Sequence, residues 1–312
     1  MTALLCGSMA YDNIMVFRGR FKEHILADQI HILNVAFLVP EMRQELGGCA
    51  GNIAYNLKML GGEPLIMATV GRDFDRYEAR LKSLAIDTRH VRRVPEALTA
   101  QAYITTDLDD NQITAFHPGA MDHAHLNQVP TGAGIAVGMV SPDGRQGMID
   151  HAAQFAAAGV PFIFDPGQGL PMFDGDDLRR FIGQASWVTV NDYESRLLTE
   201  RTGWSEEMIA AKVKALIVTR GGQGSTIYAG GKTTDIPVVK PTTIADPTGC
   251  GDAYRAGLLH GILKQLSWEE TGRLASLIGA LKIAEQGTQN HHYTAASLAV
   301  LYKREFGHDI RL

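Results

Sequence analysis

The chain has 312 residues, of which 45% are hydrophobic and 20% charged, as expected of a globular protein with a full apolar core. This composition excludes disordered and fibrous proteins. A formal net charge of −5 gives no basic surface for binding nucleic acid or an anionic membrane. The three cysteines lie far apart without metal-ligand spacing, and no apolar run approaches ~18 residues. We therefore expect a cytoplasmic protein with reduced thiols.

Short apolar runs recur along the chain with helical stretches between them. They are rich in β-branched residues and are bounded by Gly, Pro, Asp or Asn, as buried parallel strands are. The alternation predicts a doubly wound α/β core, in which helices flank a mostly parallel central sheet. The predicted strands are residues 3–6, 65–70, 135–140, 161–164, 187–190 and 215–218.

Two segments, at about 14–40 and 98–118, interrupt this alternation. The second predicts two strands, 101–106 and 112–116, joined by a polar turn. Together the segments predict a small β-sheet that serves as a lid on a single domain spanning residues 1–312. From residue 249 onward the chain is mainly helical, with predicted helices at 252–264, 268–285 and 294–305.

Residues 246–252, Asp-Pro-Thr-Gly-Cys-Gly-Asp, directly precede an apolar helical stretch. Free amides of Gly249, Cys250 and Gly251 at a helix N-terminus would form a cradle for a phosphate group. Asp252, one residue later, could take a proton from a hydroxyl held beside that cradle. The alternative is that Asp252 only caps the helix and the glycines only form a turn.

Three further motifs carry groups suited to a phosphate and sugar site, and each also has a purely structural explanation. Gly48 and Asn52 lie in a Gly-Gly turn and the helix that follows it, which could equally be a core helix. Asn191 and Glu194 follow a predicted strand, where oxygen ligands suit Mg²⁺ but a helix cap would also explain them. The third motif, at residues 218–225, contains Thr219, Gly221 and Gly224 and could be an ordinary hairpin.

Near the N-terminus, Asp12 follows the first predicted strand, at a position where an open α/β sheet presents ligand-binding groups. A carboxylate there can accept hydrogen bonds from two vicinal hydroxyls, such as those of a ribose. A turn-forming Asp next to Asn13 is the alternative.

Together, the four motifs resemble those of the PfkB, or ribokinase-like, family of carbohydrate and nucleoside kinases. Residues 17–21, 116–121, 191–194 and 287–289 look more like bacterial adenosine and nucleoside kinases than ribokinases. The resemblance implies an ATP-dependent kinase that phosphorylates the 5′-hydroxyl of purine ribonucleosides, namely adenosine and also inosine or guanosine. It further implies Asp252 as the base, with Gly249, Cys250 and Gly251 around the transferred phosphoryl group.

The resemblance also implies the ligand contacts and cofactors. Asp12, Gly48 and Asn52 would contact the ribose, with Phe116 stacked on the base and Gln168 nearby. The positions implied for ATP are Asn191, Thr219, Gly221 and Gly224, and Glu194 would contact Mg²⁺ through water. A monovalent cation such as K⁺ is a further candidate, with Asp246 and Thr248 helping to form its site. The protein would act as a monomer or a homodimer.

The chain departs from the bacterial adenosine kinases that it resembles at two positions, where it has Ala102 and Gly169 and they often have an aromatic residue and a second glutamine. Fewer base contacts favour a kinase that accepts several nucleosides. Two alternatives remain: a sugar kinase of the same fold, and a nucleoside sensor without catalysis. An apparent P-loop end at residues 231–233 lacks its first glycine, since position 226 is Thr226, and is discarded.

Overall fold

The fold is taken from a computed structural model that describes residues 1–25, 34–109, 111–132 and 134–312. Its main sheet, sheet A, has nine strands, and a smaller sheet B has four. The strands of the described residues are β1 (Thr2–Cys6), β2 (Ala10–Val16), β3 (Glu41–Gly47), β4 (Glu63–Val70), β5 (Asp87–Arg93), β6 (Ala100–Thr106), β7 (Gln112–His117), β8 (Ile135–Val140), β9 (Phe162–Phe164), β10 (Trp187–Asn191), β11 (Ala215–Thr219), β12 (Ser225–Ala229) and β13 (Lys232–Ile236).

In the described residues, ten α-helices connect and cover these strands. They are α1 (Phe21–His24), α2 (Cys49–Met59), α3 (Asp75–Ser83), α4 (Arg145–Ala157), α5 (Gly175–Gln184), α6 (Asp192–Thr202), α7 (Glu206–Ala210), α8 (Cys250–Lys264), α9 (Trp268–Ile283) and α10 (Ala295–Phe306). Short 3₁₀ segments occur at Gly119–Leu126, Gly167–Met172 and Gly221–Gln223. None of the helices in the described ranges is long and apolar enough to cross a membrane.

Sheet A has the strand order β13-β12-β11-β10-β9-β8-β1-β4-β5. Its strands are parallel from β11 to β5, and β12 and β13 extend it antiparallel at one edge. All six strands predicted from apolar runs are present, which confirms the predicted doubly wound fold. The chain builds one half outward from β1 and then returns to β8, so the order reverses between these two neighbours. Ligands of open α/β sheets bind at such a reversal, at the carboxyl ends of the strands.

Successive residues of the central strand point to opposite faces of sheet A, and each face has its own core. Leu5 of β1 packs in a cluster with apolar residues of α2, α3 and α8. Leu4 belongs to a second cluster, with residues of α4, α5 and α6. Both faces are therefore covered by helices, which explains why the inner parallel strands are nearly continuous apolar runs.

Sheet B has the order β3-β2-β6-β7, with β2 antiparallel to β3 and parallel to β6. The predicted pair 101–106 and 112–116 corresponds to β6 and β7. In the other predicted segment, 14–40, the described residues contain the end of β2 and the short α1, while β3 begins after it at Glu41. Residues 26–33 of that segment lie outside the described residues.

Candidate active site

The carboxyl ends of the parallel strands bring together residues from distant parts of the sequence. Asn191 at the end of β10 lies directly opposite Thr219 at the end of β11. Asp165 follows β9, one residue beyond the Phe164 that pairs with β10. The amino ends of α2 and α8 lie at the same edge, since Asn52 of α2 contacts Asp252 of α8. The site thus lies where the strand order predicts a ligand.

Helix α8 begins without a side-chain cap. Its N-cap residue, Gly249, has φ of 80°, a left-handed conformation that favours glycine. Within the described part of the chain, the amides of Gly249 and Gly251 donate to no other protein group. The Cys250 amide differs from our expectation, because it donates to Pro247 O at 3.2 Å. Two of the three predicted amides therefore remain free at the positive end of the helix dipole.

The Asp252 carboxylate accepts a hydrogen bond from Asn52 Nδ2 at 2.8 Å. It makes no capping contact, so the interpretation of Asp252 as only a helix cap does not describe this helix. Burial raises the pKa of Asp252 to about 6, although Asn52 and the positive charge of Arg255 act in the opposite direction. A carboxylate with this pKa is mostly ionised at neutral pH and can accept a proton.

Asn52 is itself held in place by a chain of buried hydrogen bonds. Its Oδ1 accepts from Gln289 Nε2 at 3.0 Å, and the same nitrogen lies 2.6 Å from the Tyr77 hydroxyl. Tyr77 in turn donates to Gly47 O at 2.9 Å. The network fixes the amide that contacts Asp252. Gln289 contributes to the family resemblance through residues 287–289, but its sequence context predicts no role for it.

The Gly47-Gly48 pair allows close approach between protein groups. A Cβ atom on Gly47 would lie 2.3 Å from Asp12 Oδ2, and one on Gly48 would lie 2.5 Å from Ser8 O. We had expected Asp12 to lie at a strand end of sheet A. It belongs instead to β2 of sheet B. Burial, together with the negative charges of Asp246 and Glu45, raises the pKa of Asp12 to about 6.

Arg255 lies one helical turn after Asp252 and is 7% exposed. Its Nη2 donates to Asp165 Oδ1 at 2.5 Å and lies 3.9 Å from Glu194 Oε2. A Cβ atom on Gly251 would lie 2.8 Å from Arg255 Nη1, so the guanidinium borders the cradle. Asp165 is buried and also accepts from Ser141 Oγ at 3.2 Å.

We assigned no role to Arg255 or Asp165 from the sequence. A signal was present nonetheless, because Arg255 is the one charged residue between Ala253 and Leu263 in an otherwise apolar helical stretch. Buried arginines are almost always paired, so this position predicts a buried carboxylate partner. Sequence alone could not say which carboxylate that is.

Asn191 and Glu194 form a capping box at the start of α6. The Glu194 amide donates to Asn191 Oδ1 at 2.7 Å, and the Asn191 amide donates to Glu194 Oε2 at 2.8 Å. The structural explanation of this motif is therefore correct for the cap. The cap does not account for all contacts of Glu194, because its carboxylate also faces Arg255. Burial raises the pKa of Glu194, and Arg255 opposes that shift.

The turn after β11 contains two glycines in different surroundings. Packing leaves no room for a side chain at Gly224, whereas it leaves room at Gly221. A Cβ atom on Gly224, whose φ is +85°, would lie 2.1 Å from Ile236 O. Gly221 also has a positive φ, of +51°, but no atom lies within 4 Å of its Cβ position. Thr219 Oγ1 lies 3.4 Å from Val190 O. Gly221 therefore leaves space beside the strand ends that a ligand could use.

The remaining predicted contacts, Phe116 and Gln168, have exposed side chains. Phe116 lies on β7, the edge strand of sheet B, opposite Ala102 of β6, and is 50% exposed. Gln168 lies in the 3₁₀ segment that follows Asp165. An exposed aromatic ring on an edge strand contributes little to the core and is free to contact a ligand.

No group of three or more His, Cys, Asp or Glu side chains in the described ranges is arranged to hold a metal ion. One or two carboxylates without such a cluster suit Mg²⁺ that arrives with nucleotide phosphates, because Mg²⁺ keeps several waters and needs only one or two protein carboxylates. Glu194 and Asp165 are the acidic groups that pair with Arg255, the arginine beside the cradle.

Comparison with known proteins gives the family of the chain. The model of the pfkB family of carbohydrate kinases matches residues 9–295. The chain belongs to this family, which confirms the resemblance predicted from its motifs. It is therefore a phosphotransferase with an alcohol group as acceptor.

The similar proteins within this family include nucleoside kinases. The nucleoside kinase of Methanocaldococcus jannaschii is 32% identical over 260 residues, which are 83% of this chain and 85% of that protein. The structure of Burkholderia thailandensis nucleoside kinase in complex with inosine is 53% identical, with a TM-score of 0.91, and covers 98% of this chain and 99% of that one. The structure of the same kinase in complex with ADP-inosine is 54% identical, with a TM-score of 0.89. The match covers 99% of this chain and 97% of that one.

Proposed function

We propose that the protein is an ATP-dependent nucleoside kinase that phosphorylates the 5′-hydroxyl of purine ribonucleosides, including inosine, adenosine and guanosine. One observation carries the proposal: the Asp252 carboxylate, 2.8 Å from Asn52, lies within one turn of two free amides at a helix N-terminus. A base and an anion cradle are thus side by side, as phosphoryl transfer to a hydroxyl requires. The inosine complexes of the Burkholderia kinase support a nucleoside as acceptor.

In this proposal the ribose lies between α2 and sheet B. Asp12 accepts hydrogen bonds from the 2′- and 3′-hydroxyls, the backbone at Gly48 allows close approach, and Asn52 orients both the sugar and Asp252. Phe116 stacks on the base, and Gln168 offers a polar contact near it. The single domain would use sheet B, with the segments at about 14–40 and 98–118, as a lid that excludes water during transfer.

ATP would lie along the strand ends on the other side of the cradle. Thr219, Gly221 and Gly224 line the turn where the nucleotide approaches, and Asn191 holds Glu194 toward its phosphates. Glu194 would contact Mg²⁺ through water, which suits a carboxylate already engaged by a helix cap. When bound, Mg²⁺ would neutralise charge on the phosphates.

Asp252 takes the proton of the acceptor hydroxyl as that oxygen attacks the γ-phosphorus, the bond from the γ-phosphorus to the β–γ bridging oxygen breaks, and ADP leaves. The Gly249 and Gly251 amides stabilise charge on the transferred group, and the Cys250 amide joins them if it leaves Pro247 O. The Arg255 guanidinium adds a fixed positive charge beside Gly251 and keeps the Asp252 pKa from rising further. Positioning and electrostatics thus provide most of the acceleration.

A substrate panel tests the proposal. We expect turnover with ATP on inosine, adenosine and guanosine, and at least about 100-fold lower kcat/KM on ribose and fructose, because a missing base loses its stacking and polar contacts. Phosphorus NMR of the product should show a 5′-monophosphate, and 5′-deoxyinosine should bind without being phosphorylated. Faster turnover on a free sugar would make the protein a sugar kinase. Tight nucleoside binding without turnover on any acceptor would make it a sensor.

A further inference from the structure

A lysine is buried directly behind the anion cradle. Lys282 lies in the last turn of α9 and is 0% exposed. Its Nζ donates to the backbone carbonyl of Asp246 at 2.8 Å and to that of Glu285 at 3.0 Å. A buried ammonium is costly unless its donors are satisfied. Here two backbone oxygens accept two of its three donors, and no carboxylate lies within hydrogen-bonding distance of Nζ among the described residues.

The two carbonyls belong to the two segments that form the walls of the cradle. Asp246 begins the turn that leads to Gly249, and its carboxylate accepts from the amides of Thr248 at 2.9 Å and Gly287 at 3.0 Å. Glu285 begins the segment that carries Thr288, and a Cβ atom on Gly249 would lie 3.0 Å from Thr288 Cγ2. One buried positive charge therefore connects both walls.

The same place was expected to hold a monovalent cation, with Asp246 and Thr248 helping to form its site. Proteins bind K⁺ by converging backbone carbonyl oxygens that replace its hydration shell. In this chain the carbonyl oxygens of Asp246 and Glu285 already receive hydrogen bonds from Lys282 Nζ. A K⁺ ion bound at these oxygens would lie beside the buried Lys282 ammonium, and the two like charges would repel each other. The residues present therefore do not fit K⁺.

We propose that the Lys282 ammonium is a built-in monovalent cation that fixes the two walls of the cradle and makes the kinase independent of K⁺. Lys282 is then a positioning residue, since it reaches the transferred group only through Asp246 and the segment beginning at Glu285. A lysine is suited to this task because its ammonium is a compact charge with three donors on a flexible stem.

The wild-type protein gives the first test. We expect kcat in tetramethylammonium chloride to equal kcat in KCl at the same ionic strength within about twofold, because an ion that binds no state preferentially shifts no equilibrium. A saturable activation by K⁺ of about tenfold or more would overturn the proposal. This arm needs no variant, so it decides the question even if a substitution at Lys282 prevents folding.

The second test removes the ammonium. In Lys282→Ala we expect turnover to fall on the order of 10²-fold, because a cradle displaced by about 1 Å loses its alignment. K⁺ should restore turnover, and tetramethylammonium should not. Lys303→Ala is the matched control: Lys303 is an exposed lysine that pairs with Asp309 on the surface, and its loss should leave both rate and K⁺ response unchanged.

Thermal unfolding provides a readout that requires no substrate, so it separates this proposal from that of a nucleoside kinase. K⁺ should raise the Tm of Lys282→Ala in a concentration-dependent way and leave that of the wild type unchanged, because a ligand stabilises only the state that binds it. If the variant is impaired and K⁺ restores neither Tm nor turnover, Lys282 is a structural residue only. If the variant matches the wild type without K⁺, the charge has no role in the cradle. Either result overturns the proposal.

Discussion

Helices α6 and α8 both begin at the carboxyl edge of sheet A, and both have an acidic residue at the third helical position. In α6 the N-cap is Asn191, which forms a reciprocal capping box with Glu194. In α8 the N-cap is Gly249, which has no side chain, and Asp252 contacts Asn52 instead of the helix end. The same spacing thus gives two different helix ends.

The difference shows how a helix end becomes a reactive site. At α6 side chains accept hydrogen bonds from the amides of Tyr193 and Glu194, so less capacity remains to bind an anion there. At α8 the glycines leave amides free, and the carboxylate is held by a side chain from another helix. Asp252 is therefore positioned by tertiary structure, while Glu194 is positioned by its own helix. The two acids should respond differently to substitution.

The largest effect should come from Asp252→Asn. The amide keeps the size of the carboxylate but cannot take a proton, so turnover should fall by about 10²-fold or more while nucleoside binding persists. Steady-state kinetics and calorimetric binding measure the two quantities. Asp192→Asn is the matched control, since Asp192 is an exposed acid in the first turn of α6. A folded Asp252→Asn enzyme with full turnover would eliminate the base assignment.

The next effect concerns pH. Because the pKa of Asp252 is about 6 and the base must be ionised, kcat/KM should decline as pH falls below about 6. The charge of Arg255 lowers this pKa and that of Asp165 raises it. Arg255→Met should therefore move the decline to higher pH, and Asp165→Asn should move it to lower pH. Rate profiles between pH 5 and 9 measure both shifts.

This pair of variants also identifies the titrating group. Asp12 has a similar pKa, but the charges acting on it are those of Asp246 and Glu45. A decline that does not move in either variant would therefore belong to Asp12. The double variant Arg255→Met/Asp165→Asn removes both buried charges, leaves neither unpaired and controls for folding.

Much of the fold could be predicted because buried parallel strands have a distinctive sequence. The strand β1 is a run of apolar residues, and the same holds for β8 and β11. The strand β5, Asp-Thr-Arg-His-Val-Arg-Arg, escaped prediction because it lies at the edge of sheet A and exposes polar side chains. The strand β3 is missed for the same reason, since most of its residues are only partly buried.

The candidate site was likewise only partly predictable from the sequence. Local features were visible in the sequence: the glycine turn before α8, Asp252 beside it, and the motif of Asn191 and Glu194. Contacts across the chain were not, because Asn52 and Asp252 lie 200 positions apart and Asp165 and Arg255 lie 90 apart. Which way a side chain points from a helix depends on tertiary packing, so the Lys282 contacts could not be predicted either.

The smallest effect should come from Glu194→Gln, which separates the cap of α6 from its charge. Gln serves in a capping box as Glu does, so the free energy of unfolding should change little. The lost charge should raise the Mg²⁺ concentration for half-maximal rate by about tenfold, as expected of a group that contacts the metal through water. Mg²⁺ titrations at fixed ATP measure this value, and urea unfolding measures stability.

Asn191→Ala is the complementary variant, because it removes the N-cap side chain and keeps the carboxylate. We expect a loss of about 1 kcal/mol in the free energy of unfolding, since the Glu194 amide loses its acceptor. If Glu194→Gln leaves the Mg²⁺ titration unchanged while Asn191→Ala destabilises the protein, the motif is a cap alone. Helix α6 would then lie beside the active site without taking part in it, and α8 alone would provide the chemistry.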